Sequence, residues 1–477
     1  MYALHGRPPQ SQESPLPAKL IGPHRRTDFG THAMKVHLAI CLAATALLTA
    51  RTAYGAEYQQ VENLAPETAQ AAPVSLEAFH EALKKGPARR ILRERFAEKP
   101  PFRRDASLDF RLRVYDFQRD DGIETIADSL AVGTELTFTS GKWHERLSTV
   151  VSWHTSFGID TTVGSGRSGL LGADESDLSV ISRAYLQYEF GEVLSTRLYR
   201  QDFNMPYINR QDSRMIPNTH EAYVLRSPGK RLEWLAGHVT KIKKRDSEDF
   251  VPMAEAAGVD GDNTGTSVVA GRYTFVDKSL LSVVFQHTDD LFSTAFSEGS
   301  VRRTLSENWG LQLAAQLTNQ WSVGGEKLGD FSTYTWGLRG MLSYRSTVLT
   351  TAYTKTGDTT IRKPFGGTPG YTSSMVFDFD RANEEAWRIG LSQNFANLGL
   401  PGVSLIVNYT EGRNSTTDIG EPLPDADELN ITADFRPEKG FFKGLWFRVR
   451  YADANRGSPV ADRKDWRIIV NYSVSAL

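Results

Sequence analysis

Hydrophobic and polar positions alternate along the C-terminal part of the chain. In Leu445 to Tyr451, the residues Leu445, Phe447, Val449 and Tyr451 fall on one parity, and Trp446, Arg448 and Arg450 on the other. The last segment repeats the pattern: Trp466, Ile468, Val470, Tyr472 and Val474 alternate with Arg467, Ile469, Asn471 and Ser473. Successive side chains of a strand point to opposite faces, so each segment predicts a strand with one oily and one polar face. A single such strand suits a soluble sheet as well. Repetition around the chain predicts an all-β fold, a sheet closed on itself as a transmembrane β-barrel with an oily outside and a wet lumen.

Apolar parity and turn chemistry place strands at 107–119, 126–139, 143–157, 179–190, 193–201, 220–226, 231–240, 266–275, 280–287, 309–318, 321–326, 332–344, 347–356, 384–396, 403–412, 427–436, 445–453 and 465–475. The count is 18 antiparallel strands, the shortest at 321–326. Their connections alternate in length. Short ones fall at 140–142, 191–192, 227–230, 276–279, 319–320 and 345–346, with slightly longer ones at 397–402 and 437–444. Long polar segments lie between them at 158–178, 202–219, 241–265, 288–308 and 357–383. Short periplasmic turns and long extracellular loops are the asymmetry of outer-membrane barrels.

The N-terminal region breaks this period. From Met34 the chain reads MKVHLAICLAATALLTARTAYG, a secretory signal with Lys35 at its start, an apolar core from Leu38 to Ala50 and the small-x-small site Ala53-Tyr54-Gly55. Cleavage is expected after Gly55, and the apolar core is too short to span a bilayer. Residues 1–33 are polar and read as an upstream extension, with Met34 as the alternative start to Met1. The single cysteine, Cys41, lies inside the signal, so the exported chain carries no thiol, disulfide or cysteine-based metal site. Residues 56–102 show helical spacing at Leu76, Phe79 and Leu83, then at Ile91, Leu92 and Phe96, broken by Gly86-Pro87 and ended by Pro100-Pro101. This periplasmic arm reads either as a mobile tail or as a small helical plug or oligomerisation arm; the barrel then occupies 103–477. With 55 basic and 57 acidic residues the net charge of −2 gives no footprint for nucleic acid.

Three separated segments carry a resemblance. QDSRMIPNTHEAYVL from Gln211 to Leu225, GYTSSMVFDFDRANEEAW from Gly370 to Trp387 and LGLPG from Leu398 to Gly402 resemble the OprD family of substrate-specific outer-membrane porins. The opening strand, with Arg113 in LRVYDFQRD, is similar to that family's first strand, and the likeness runs from about Phe102 to Leu477. The resemblance implies a monomeric 18-stranded channel for passive uptake of small solutes, usually carboxylate-bearing. They would pass a ladder of lumen arginines and a constriction of infolded loops. It also implies outer-membrane lipid and the barrel-assembly machinery as partners, with no cofactor.

Arginine suits a carboxylate because its planar fork makes two parallel hydrogen bonds and keeps its charge near neutral pH. Strand parity sets Arg111, Arg113, Arg388, Arg448, Arg450 and Arg467 opposite the oily face. Charged groups at membrane depth are tolerated where they line water, so these six form the expected basic ladder. Arg183, Arg339 and Arg436 share the inward parity. Asp378 and Asp380, with the acid-rich loop from Asp246 to Asp262, are candidates for the facing wall, and Tyr185 and Tyr199 are candidate inward aromatics. Small inward residues at Gly133, Ser148, Ser152, Gly390, Ser392 and Ser404 favour an open pore.

Enzymatic signals fail on context. The run from Gly164 to Gly169 matches G-x-G-x-x-G by letters, but no continuously apolar strand precedes it and no helix follows. His144-Glu145 and His220-Glu221 lack the second histidine of a zinc site, and no G-x-S-x-G elbow occurs. The competing readings are a general or phosphate-type anion porin and a closed-lumen enzyme or structural barrel.

Overall fold

The computed structural model describes residues 100–121, 125–163, 168–367, 370–440, 442–457 and 462–475. The expected upstream extension, signal peptide and nearly all of the arm lie outside the described residues. Eighteen strands form one closed antiparallel barrel. In chain order they are β1 (Ser107–Asp120), β2 (Thr125–Thr139), β3 (Leu147–Val163), β4 (Leu178–Glu189), β5 (Ser195–Gln201), β6 (Thr219–Pro228), β7 (Leu232–Lys243), β8 (Thr266–Thr274) and β9 (Leu280–Thr288). The second half is β10 (Phe292–Thr304), β11 (Trp309–Ser322), β12 (Ser332–Tyr344), β13 (Thr347–Thr356), β14 (Glu385–Asn394), β15 (Val403–Arg413), β16 (Ala426–Phe435), β17 (Leu445–Asn455) and β18 (Arg463–Ser475). Closure is direct, β1 pairing with β18 from Asp109 opposite Ser475 to Asp120 opposite Lys464. No sheet edge is left open, as a membrane-spanning sheet requires.

The expected number of strands is correct, but one of them is misplaced. The segment 288–308, expected as a long loop, holds β10 behind a tight turn at 289–291. Conversely, β11 runs straight through the expected turn at 319–320, and 323–331 is loop. The two differences cancel in the count. Their cause is visible in β10, whose aromatic residues Phe292 and Phe296 are buried against Phe365 and Tyr207 of infolded loops. Its other face presents Ala295, Ser297 and Gly299, so the usual oily-outside signature is inverted.

Elsewhere the oily parity faces outward. Val283, Phe285, Leu313, Leu317, Leu338, Ile389 and Leu391 are exposed on the barrel wall, where lipid covers them. Aromatic pairs mark both ends of this belt: Trp309 with Tyr344 at the short turns, and Trp387 with Tyr409 and Tyr451 with Trp466 at the long loops.

Several long loops pack into the lumen: Leu170 and Leu171 lie with Tyr115 and Phe117, Met253 and Ala254 lie with Val239 and Val268, and loops 202–218 and 357–384 reach furthest across. Loop 202–218 touches three well-separated strands: Tyr207 donates to Thr318 of β11 (2.7 Å), Gln286 of β9 donates to the Pro206 carbonyl (2.7 Å), and Arg113 of β1 donates to Asp212 (2.8 Å). Only a loop inside the cylinder can reach all three. Loop 357–384 meets it where Asn209 donates to the Gly367 carbonyl. Beside that contact Gly366 has φ of +148°, and a Cβ there would lie 2.8 Å from the Asn209 backbone nitrogen, so only glycine fits.

Candidate functional site

The six ladder arginines lie on the lumen face, on β1, β14, β17 and β18. Because β1 adjoins β18 and β18 adjoins β17, five of the six occupy one sector of wall. Arg388 on β14 stands apart, three strand pairings from β17. On the opposite face of β17, Phe447 packs beside the Val114, Leu130 and Val470 cluster.

Most of the ladder is neutralised by acids of the same barrel. Arg111 pairs with Glu135 on β2 (2.6 Å), its partner in register, and with Asp212 of loop 202–218 (3.4 Å). Arg113 is buried, donating to Asp212, to Asn471 of β18 (2.7 Å) and to the Arg214 carbonyl. Burial opposes ionisation of Asp212, but Arg113 and Arg111 outweigh it and hold the carboxyl at about 2. Arg448 grips both oxygens of Asp434 (2.8 and 2.7 Å), and Arg467 pairs with Asp465 (2.5 Å), which also holds Arg119 (2.6 Å).

Two arginines of the ladder make no ion pair among the described residues. Arg450 lies directly opposite Arg467 across β17 and β18, and its one hydrogen bond goes to Thr432 (3.3 Å). Like charges facing each other across a sheet are destabilising. Asp465 relieves Arg467 and leaves Arg450 without a carboxylate in direct contact among the described residues. Arg388 donates to the Ser373 carbonyl (2.9 Å) and has no carboxylate partner.

Loop 357–384 crosses beside these groups and is fixed to the wall chiefly through Glu428 of β16. One Glu428 oxygen accepts the backbone N–H of Met375 (2.7 Å) and Val376 (2.9 Å); the other accepts that of Phe377 (2.7 Å). Arg467 adds a bond to the Met375 carbonyl (3.2 Å), and Arg456 stacks on the Phe377 ring at 3.9 Å. The stretch from Ser373 to Phe377 therefore lies against the wall that carries Arg388 and Arg467.

The candidate facing acids take a different position. Asp378 and Asp380 sit beside Gln316, Thr335 and Thr354 of β11, β12 and β13, on the far side of the same loop. Lys363 bridges both, at 2.7 Å to Asp378. Burial pushes the Asp380 carboxyl up to about 6, with Asp378 adding to the rise and Lys363 opposing it. Of the acid-rich loop, Asp262 is bound to Lys327 (2.7 Å) and takes no part in the ladder.

Tyr185 and Tyr199 are cross-strand partners on β4 and β5, with Arg197 stacked over Tyr185 at 4.9 Å. Tyr199 has φ of +89°, a break in the strand that precedes loop 202–218. Arg183 shares this region, binding Glu135 (2.5 Å), and Arg339 lies over the Tyr371 ring at 4.2 Å. Arg436 stacks on Trp446 at 3.9 Å.

The small inward residues are not all spare room. A Cβ on Gly133 would meet the Thr155 carbonyl at 2.2 Å and Met215 of the infolded loop at 2.9 Å, and one on Gly390 would meet Asn408 at 2.2 Å. Ser152 is fully buried, bonded to Thr137.

Sequence reasoning missed the acids. Glu428, Asn430, Thr432 and Asp434 alternate with Leu429 and Ile431, so inward parity alone would have nominated them. Asp465 shares the parity of Arg467 in the same way. Asp212 sits in a loop without period and gave no signal.

Residues 101–476 match the family described as outer membrane porin, OprD family. The chain is 24% identical to Porin D of Pseudomonas aeruginosa over 437 residues, covering 80% of this chain and 93% of that protein. Among solved structures, a BenF-like porin from Pseudomonas fluorescens Pf-5 is similar with a TM-score of 0.71 at 19% identity, covering 78% of this chain and all of that one. OpdK of Pseudomonas aeruginosa, solved with vanillate, has a TM-score of 0.69 at 20% identity, with 78% of this chain and 100% of that chain covered. With a closed barrel of 18 strands, lumen-lining arginines and a family match across the barrel, the chain belongs to the OprD family and is a bacterial outer-membrane porin.

Proposed function

We propose that this porin is a passive, substrate-selective channel for small carboxylate-bearing solutes, with Arg388 and Arg450 as the carboxylate contacts. The observation that carries the reading is that these two guanidiniums line the lumen without a carboxylate partner among the described residues. A guanidinium beside water with no carboxylate in direct contact keeps its fork free for an anion, and that fork matches a carboxylate better than a spherical ion. Of the paired arginines, Arg111 and Arg113 hold loop 202–218 through Asp212, and Arg467 holds loop 357–384 through the Met375 carbonyl. Vanillate, present in the OpdK structure, is an aromatic carboxylate and so belongs to the proposed solute class. The barrel acts alone, long loops outward and turns toward the periplasm.

Liposome swelling across amino acids, aromatic acids, neutral sugars and phosphate tests the reading. Carboxylates are expected to enter fastest, with Arg450→Ala slowing them several-fold and leaving neutral sugars unchanged. Equal rates for carboxylates and neutral solutes of the same size would reject carboxylate selectivity. Preferential entry and competition by phosphate would replace it with a general anion pore.

A further inference from the structure

Six charged side chains where loop 202–218 meets β1, β2 and β4 close into a ring. Arg111 of β1 pairs with Glu135 of β2 (2.6 Å), and Glu135 pairs with Arg183 of β4 (2.5 Å). Arg183 reaches Asp202 at the start of the loop (3.9 Å), Asp202 pairs with Arg210 (3.4 Å), and Arg210 with Asp212 (3.0 Å). Asp212 returns to Arg111 (3.4 Å). The charge changes sign at every step. Arg113 and His154 attach from outside the ring, at Asp212 and Glu135.

Register and loop geometry explain the closure. Arg111 and Glu135 are register partners on β1 and β2. Arg183 lies opposite Ser152 of β3, whose small side chain lets the guanidinium pass over that strand to Glu135 and Thr137 (3.1 Å). Within the loop, Asn204–Met205 pairs with Ile208–Asn209, and the Arg210 N–H donates to the Phe203 carbonyl (2.9 Å). Asp202 and Arg210 therefore flank the neck of a small hairpin, and their ion pair closes it.

The ring divides into two complementary arcs. The wall arc, Arg111–Glu135–Arg183, carries an excess positive charge; the loop arc, Asp202–Arg210–Asp212, carries an excess negative one. Two links cross between them, Arg183 to Asp202 and Arg111 to Asp212. The six side chains are 13–33% exposed, so water reaches the ring and each link contributes the modest amount of a partly exposed pair. Removing any member opens two links and leaves its two like-charged neighbours facing each other without the charge that separated them.

We infer that Arg183, Asp202 and Arg210 are positioning residues of the channel. With Arg111, Glu135 and Asp212 they form one clasp that pins loop 202–218 to this side of the wall, while Pro206 and Tyr207 hold its tip on β9 and β11. The clasp governs how often the loop leaves its place in the lumen.

The test is single-channel recording of the full chain in about 0.15 M potassium chloride, counting excursions from the main conductance level. No organic anion is present, so the outcome is independent of carboxylate selectivity. Arg183→Gln, Asp202→Asn and Arg210→Gln are each expected to raise the excursion frequency about fivefold, the equivalent of one partly exposed ion pair. Charges acting only through their own fields would give the arginine and aspartate variants opposite effects; the clasp gives both the same. Arg183→Gln with Asp202→Asn is expected to fall well short of the ~25-fold product of the two, because both open the same crossing link. Arg197→Gln, which removes one charge on β5 outside the ring, is expected to record as wild type. Raising the salt to about 1 M is expected to narrow the gap between wild type and Asp202→Asn. Unchanged frequency in all three single variants, or a rise in one charge class with a fall in the other, overturns the inference. Heat-modifiable migration on gels verifies closed barrels; if an arginine variant fails to close, Asp202→Asn, which keeps the shape of its side chain, decides.

Discussion

Glu428 is the single residue whose loss should most change the channel. Its two oxygens receive three consecutive backbone N–H groups of loop 357–384, and Asn430 also donates to it (2.6 Å). In Glu428→Ala, the Met375 N–H keeps a partner because it also reaches the Asn430 oxygen (3.1 Å). The Val376 and Phe377 N–H groups lose theirs. Hydrogen bonds to a charged acceptor contribute about 1.5–3 kcal/mol each, so two give roughly 3–6 kcal/mol. Lumen water solvates the freed groups and favours the lower end. Even about 3 kcal/mol shifts the balance of docked and undocked loop by ~100-fold. In planar bilayers the variant is expected to show higher mean conductance and added flicker. Chymotrypsin is expected to cut it after Phe377 or Phe379, residues buried in the wild-type protein. Glu411→Ala, which removes an outward acid paired with Arg413, should behave as wild type. If Glu428→Ala matches wild type in both conductance and cleavage, Glu428 does not hold the loop, and the anchoring argued for it is wrong.

Arg450→Ala should lower the single-channel cation-to-anion discrimination measured by reversal potential more than Arg448→Ala does, since Arg448 is already paired with Asp434. Equal effects would show that pairing does not remove an arginine from the pathway. The Asp380 carboxyl, moved from 3.8 to about 6, binds its proton more tightly in the docked loop than in a free one. Docking is thus favoured below about pH 4 and loses roughly 3 kcal/mol as pH rises through 6. Loop flicker should increase between about pH 4 and pH 6, and Asp380→Asn should abolish that slope; a slope kept by Asp380→Asn would assign it elsewhere. Gly366→Ala should loosen the junction of the two infolded loops, read as broader conductance states in single-channel records. An unaltered conductance histogram would show that the close approach to Asn209 is not needed.

The lipid-facing alternation made the barrel legible, because one side of nearly every strand must be oily whatever the lumen contains. It failed at β10, where Phe292 and Phe296 pack inward on loop residues and the outward side is small. A period-two reading detects that some face is apolar, not which way it points. The ladder was legible for the same reason, as parity fixes the side of Arg448 and Arg467. What parity cannot tell is whether a charge already has a partner. Asp434 and Asp465 lie on neighbouring or identical strands and follow once register is known, whereas Asp212 reaches Arg111 and Arg113 only because a loop folds back into the cylinder. The roles of Asp378 and Asp380 were hidden similarly, since Lys363 comes from the other limb of their own loop.

The packing of loops 202–218 and 357–384 against Val224, Val239, Val268, Phe292 and Phe296 has an electrical consequence. It turns one half of the cylinder into something like the interior of a soluble protein, dry and weakly polarisable. Loop residues Leu170, Leu171, Met215 and Ile216 likewise pack on Tyr115, Phe117 and Ile469 beside the arginine wall, so any route left for water is hemmed on both sides. A poorly polarisable backing concentrates field lines in the aqueous part, so each uncompensated positive charge is felt more strongly by a passing ion than in a uniformly wet tube.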